Sequence, residues 1–213
     1  MPKVHPNAAS PALELPRPAV SCRGDAVGLP EAAVLTVWRK SLLFNCSGFT
    51  VFDAKGSLVF RVDNYGSGSK GEVVLMDAAG KPLLTIRRKK LSLGDHWLIY
   101  NGEETVNPRF SVKRHVNLLH SKALAHVTPC GACAGGDGYE VQGSYSQRSC
   151  AVYDERRRPV AEVRRKEAAA GGAAFGADVF RLVVQPDLDA SLAMAIVIVL
   201  DQMFGSRGYR IKG

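Results

Sequence analysis

Between Val34 and Gln185 the apolar positions fall into short runs rich in β-branched and aromatic residues, each closed by Gly, Asp, Asn or Pro. That texture predicts strands. In one run Leu58, Phe60 and Val62 share a face while Arg61 and Asp63 share the other, the period-two alternation of a sheet buried on one side. About a dozen strands are predicted in this span. Three segments repeat one plan: "VFDAKGSLVFRV" (51–62), "LMDAAGKPLLTIRRKK" (75–90) and "VYDERRRPVAEVRRK" (152–166) each read as strand, Asp-opened turn and second strand. An Asp carboxylate at the first turn position accepts bonds from the amides just ahead, and Gly56 and Gly80 supply positive φ. The spacing between the three is irregular, which predicts one sheet-rich domain reusing a hairpin, not a solenoid.

The stretch "ASLAMAIVIVL" (190–200) breaks this rhythm. It carries no charge between Asp189 and Asp201, and at helical spacing its apolar side chains cover every side. Pro186 stops the preceding strand, Asp187 or Asp189 caps a helix, and Gly205 ends it. Eleven uncharged residues rise only ~16 Å, well short of the ~30 Å and about 20 residues that a membrane span requires. Strands of about six residues tilted by ~40° make a barrel wall ~15 Å high, which matches. The expectation is therefore a mainly β fold: a closed antiparallel barrel of about twelve strands around a buried hydrophobic C-terminal helix. Asp189 and Asp201 then lie at the two mouths. Asp201, on the wrong end of the helix dipole, is expected to pair with an Arg or a backbone donor.

The first thirty residues differ in texture, holding Pro2, Pro6, Pro11, Pro16, Pro18 and Pro30. They are expected to form a mobile arm, 1–30, ahead of the barrel domain, 31–213. No secretory leader is predicted, because residues 1 to 20 lack a continuous apolar core, and five cysteines is an odd number. These features point to a reducing compartment, so Asn45-Cys46-Ser47 is not expected to be glycosylated. The expected location is cytoplasmic, at membranes as a peripheral protein, or nuclear. The net charge of +8 makes anionic partners plausible without choosing among them.

Four stretches are similar to the plant LURP-one-related family: "VWRKSLLFNCSGFTVFDAKGSLVFRVDNY" (37–65), "MDAAGKPLLTIRRKKLSLGDHWLIYNG" (76–102), "SQRSCAVYDERRRPVAEVRRK" (146–166) and "DVFRLVVQPDLDASLAMAIVIVLD" (178–201). The resemblance runs from about residue 34 to 205 and implies a tubby C-terminal-like fold, shared with tubby proteins and phospholipid scramblases. It also implies a link to plant defence, no established enzymatic activity and no cofactor. The third hairpin departs from the pattern: Arg156-Arg157-Arg158-Pro159 stands where the family usually has a glycine turn.

Two basic runs are the candidate site for anionic phospholipid head groups: Arg87-Arg88-Lys89-Lys90 and Arg164-Arg165-Lys166. Each closes a hairpin's second strand, and consecutive charges there occupy both strand faces, which places both at a rim. Each exposed cation near an anionic surface contributes about 1 kcal/mol. The competing reading is solvated strand ends that guard against edge mispairing. "GSGSKG" (66–71) fits G-x-G-x-x-G, but the strand-like "EVVLMD" that follows excludes the helix a nucleotide site requires. Cys130 and Cys133 have C-x-x-C spacing without a second ligand pair, so no metal is expected. His96, His115, His120 and His126 accompany no catalytic motif. The function expected is a non-enzymatic binding or scaffolding module with an unidentified protein partner. The alternatives are a scramblase-like membrane protein, although no transmembrane span is predicted, and a nucleic-acid-binding regulator, for which only the charge speaks.

Overall fold

The computed structural model describes residues 31–42, 47–64, 71–92, 94–116, 122–131, 135–167 and 176–205. The expected N-terminal arm, the Asn45 site, His120, Cys133 and all but Gly71 of the "GSGSKG" stretch lie outside the described residues. Twelve strands precede one helix: β1 (Ala33–Trp38), β2 (Ser47–Phe52), β3 (Leu58–Asn64), β4 (Glu72–Asp77), β5 (Pro82–Arg88), β6 (His96–Asn101), β7 (Phe110–Arg114), β8 (Ala123–Pro129), β9 (Tyr139–Ser144), β10 (Ser149–Tyr153), β11 (Pro159–Arg165), β12 (Val179–Val184) and α1 (Ala190–Phe204). Each strand pairs with its sequence neighbours, and β12 returns to β1 with Leu35 opposite Leu182 and Val37 opposite Phe180. The sheet is thus a closed up-and-down barrel, with no edge left to mispair.

Closure follows from the alternation. Inward residues of adjacent strands face one another around the ring: Val37 and Val51, Leu75 and Leu84, Ile86 and Ile99, Val112 and Val127, Val141 and Val152. All of them are buried in one core. Twelve strands spaced ~4.8 Å and tilted by ~40° enclose a backbone cylinder roughly 24 Å across. Side chains cannot fill that width alone. A helix ~10–12 Å across leaves about 6 Å on each side for the inward side chains, and α1 takes that space. Every residue from Leu192 to Leu200 is 5 % exposed or less, and all belong to the same core as the strands. Asp189 caps the helix by accepting from the Leu192 amide at 3.0 Å. Gly205 ends it with φ −61, outside the left-handed region; a Cβ there would meet the Asp201 carbonyl oxygen at 2.4 Å.

The three Asp hairpins share one geometry. Asp53, Asp77 and Asp154 each accept a 2.8 Å bond at the carboxylate from the amide four residues on, that of Ser57, Lys81 and Arg158. Each pair also carries a register shift beside the turn, as a bulge requires. Three residues after each Asp the backbone is left-handed: Gly56 at φ 83, Gly80 at φ 88 and Arg157 at φ 62. In the third hairpin an arginine therefore holds a conformation that glycine holds in the other two.

Candidate functional site

Strand parity assigns every side chain to one of two mouths. In an antiparallel meander the odd strands all run one way, so β1, β3, β5, β7, β9 and β11 end at the same mouth. The helix follows β12 after a short turn, runs with the odd strands, and emerges where they end. We call that the exit mouth and the other, which holds the Asp turns, the hairpin mouth. Side-chain contacts agree: Arg39, just past β1, meets Asp201 near the end of α1, and Arg114 at the end of β7 lies 4.8 Å over the Phe204 ring.

At the hairpin mouth the Asp turns hold their own charge, and Arg157 and Arg158 also reach Glu140 and Asp187 at 3.3 and 3.5 Å. Burial opposes ionisation of Asp189 and Asp154, but hydrogen bonds prevail and hold both carboxyls below the usual carboxylate range. Ser191 and the Leu192 amide act on Asp189, and Arg158 acts on Asp154. The exit mouth is organised at long range. Arg39 Nε lies 3.0 Å from Asp201 Oδ1, and the Tyr145 hydroxyl donates to the same carboxylate at 3.2 Å. Asp201 is thus paired as expected from its position. Burial, together with the nearby Asp201 charge, pushes the Tyr145 phenol well above 10, so it remains a donor. For Arg39 burial works against the charge and Asp201 more than restores it, leaving the guanidinium more firmly protonated than usual.

Both basic runs emerge at the exit mouth. The strands β5 and β11 that carry them are six places apart in a ring of twelve, hence on opposite sides. They do not form one contiguous patch; they bracket the opening at roughly the barrel's ~24 Å width. The arginines are largely engaged within the fold. Arg87 Nε lies 2.8 Å from Glu72, Arg88 2.9 Å from Asp95, and Arg164 Nε 2.7 Å from Glu162, while Arg165 Nε donates to the Gln147 carbonyl at 3.1 Å. Lys89 and Lys90 are exposed and form no ion pair among the described residues. Lys166 is half-buried. Each run borders an open groove. One of about 510 Å³ is lined by Arg88, Asp95, Arg114 and Phe204; the other, of about 1130 Å³, by Arg148, Arg164, Arg165 and Arg181.

The remaining candidates divide cleanly. Cys150 points into the core, and burial pushes its thiol up to about 12, with Arg148 opposing, so it is no nucleophile at neutral pH. His96 is buried and 2.7 Å from the Ser111 hydroxyl; His115 and His126 share a 2.9 Å ring-to-ring hydrogen bond. No group of three or more His, Cys, Asp or Glu able to hold a metal occurs among the described residues. The strands flanking "GSGSKG", β3 and β4, pair antiparallel, so the stretch joins a hairpin and not a β-α-β unit.

A family model described as LURP-one-related matches residues 33–201. The chain belongs to the LURP-one-related family. It is 48% identical to Protein LURP-one-related 8 of Arabidopsis thaliana over 97% of this chain and 100% of that one. It is 43% identical to Protein LURP-one-related 17 of the same plant over 80% and 82%. A crystal structure of an Arabidopsis thaliana protein superposes with a TM-score of 0.59 at 26% identity, covering 82% of this chain and 92% of that one. No helix among the described residues is long and apolar enough to cross a membrane.

Sequence reasoning missed several residues of this LURP-one-related barrel that line its exit mouth: Arg39, Arg114, Tyr145, Arg148 and Arg181. Their meeting depends on which strands end at the same mouth, information that no local pattern carries.

Proposed function

We propose that the chain is a non-catalytic binding or scaffolding module that docks on anionic phospholipid surfaces through its exit mouth. The observation that carries this reading is the shared placement of Arg87-Arg88-Lys89-Lys90 and Arg164-Arg165-Lys166 at one end of the barrel, on opposite sides of the opening. Two separated cationic points suit an extended anionic plane better than one small anion. Because the arginines have partners within the fold, the exposed Lys89 and Lys90 supply most of the uncompensated attraction from the first run. A link to plant defence belongs to this proposal through the family resemblance.

The test is vesicle co-sedimentation of the whole chain against neutral and anionic lipid. At about 1 kcal/mol per cation, Lys89→Ala with Lys90→Ala weakens binding to anionic vesicles by roughly 30-fold, and added salt weakens the wild type in the same direction. Equal binding to neutral vesicles, or full binding by a variant with both runs neutralised, contradicts the proposal. A scramblase-like role would require α1 to leave the barrel, and the burial of its Leu192 to Leu200 stretch in the core supports the peripheral reading.

A further inference from the structure

The end of β5 and the loop after it read Arg87-Arg88-Lys89-Lys90-Leu91-Ser92, four cations leading to a serine hydroxyl. The ladder ends at the Lys89 amide, which donates to the His96 carbonyl at 2.8 Å, so Lys90, Leu91 and Ser92 lie beyond it in a turn at the exit mouth. Leu91 holds φ 60 and is fully exposed. Ser92 is exposed as well, and its hydroxyl has no hydrogen-bond partner among the described residues. Side chains at such a tip are open to another enzyme's cleft.

Other serines that follow cations lack this freedom. Ser41, after Arg39 and Lys40, is buried and donates to the Asp63 carboxylate. Ser111, two residues after Arg109, is buried with its hydroxyl 2.7 Å from His96. Ser149, after Arg148, is held in β10 between Ser144 and Arg164 of the neighbouring strands. Position in the fold thus separates Ser92 from hydroxyls with similar neighbours in sequence.

We infer that Ser92 is a phosphorylation site for a serine kinase that selects basic residues upstream, and that its phosphate switches off docking through the first basic run. Kinases choose substrates partly by complementary charge, and the cations ahead of this hydroxyl suit an acidic cleft. A base in the kinase takes the Ser92 Oγ proton, Oγ bonds to the γ-phosphorus of ATP, and the bond from that phosphorus to the bridging oxygen breaks as ADP leaves. The switch, unlike the site, rests on the anionic-surface reading. Glu72 and Asp95 already answer Arg87 and Arg88, which leaves Lys89 and Lys90 as the uncompensated pair. A phosphoserine two residues from Lys90 brings a charge of about −1.5 to −2, enough to cancel two lysines.

The test incubates the whole chain with ATP and, in separate reactions, two basic-directed serine kinases: the cyclic-AMP-dependent catalytic subunit and a plant calcium-dependent kinase. Tandem mass spectrometry is expected to place a phosphate on Ser92. Ser92→Ala removes it, and Lys89→Ala with Lys90→Ala slows its addition by about tenfold or more. No phosphate on Ser92 with either kinase, or unslowed addition in the lysine variant, overturns the site. In co-sedimentation with phosphatidylcholine vesicles containing phosphatidylserine, the phosphorylated chain is expected to bind roughly 30-fold more weakly than the unmodified one, matching the loss from the two lysine substitutions. Ser92→Ala taken through the same reaction keeps wild-type binding. Equal binding before and after phosphorylation of Ser92 overturns the switch and leaves the docking reading standing. Phosphate on Ser92 of a chain that binds no anionic vesicle upholds the site and refutes the docking reading.

Discussion

The two mouths of this barrel are built from similar residues to opposite effect. At the hairpin mouth each Asp closes its own turn: donor and acceptor lie four residues apart, and the turn would form the same way on any hairpin. At the exit mouth the bonds cross the chain: Arg39 to Asp201 spans 162 residues and Tyr145 to Asp201 spans 56. That network forms only when β1 has paired with β12 and the helix has entered. The hairpin mouth thus shapes the fold from local chemistry. The exit mouth reports that the fold is complete, and its surplus cations, set at separated points, are left to face outward.

The largest expected effect is at the exit mouth. Asp201→Ala leaves Arg39 and Tyr145 desolvated without their shared acceptor and lowers stability by about 3 kcal/mol in denaturant unfolding. A similar loss should appear for Arg39→Ala, and the double variant should cost less than the sum, since the second change removes a group that has already lost its Asp201 partner. Asp77→Ala removes one turn's amide acceptor and costs about 1 kcal/mol; combined with Asp53→Ala it should be additive within about 0.5 kcal/mol. Coupling between those two turns as strong as that between Arg39 and Asp201 would erase the distinction between the mouths.

Arg157→Gly is expected to stabilise the protein by up to about 1 kcal/mol, because it replaces a left-handed arginine with the residue that Gly56 and Gly80 supply in the sister hairpins. The gain is reduced by the lost ion pair with Glu140 at 3.3 Å. A clear destabilisation would mean that the ion pair outweighs the backbone strain.

The smallest effect is in pH dependence. Burial, with Lys89 and Lys113 nearby, lowers the His96 pKa below 6.5. The unfolded chain then binds that proton more readily, so this contribution to stability is complete above pH 6.5 and is lost as pH falls from there toward the lowered value. The lowered carboxyls at the hairpin mouth, Asp154 and Asp189, hold their contribution until pH falls below their unfolded value near 3.8. Unfolding titrations should show the His96 step vanish in His96→Asn while the acid step persists.

What could be read from sequence follows the same division. The strands, the Asp turns and the enclosed helix were legible, because alternation, turn chemistry and an apolar surface on every side of a helix are local signals. The acid at Asp201 announced that it needed a partner, yet nothing in "VWRK" marked Arg39 as that partner. The basic runs were visible as strand ends, but their separation was not: it requires knowing that β5 and β11 share parity and stand half a ring apart. Arg157 was noted as a departure at a turn, though its left-handed backbone is evident only beside Gly56 and Gly80.

Hydrogen exchange on the whole chain, with and without anionic vesicles, separates the two mouths. Lipid is expected to slow exchange in the exit-mouth segments, Lys89 to Asp95, Gly143 to Ser149 and Arg164 to Lys166, and to leave the hairpin turns at Asp53, Asp77 and Asp154 unchanged. Protection at those turns, or protection nowhere, would contradict it.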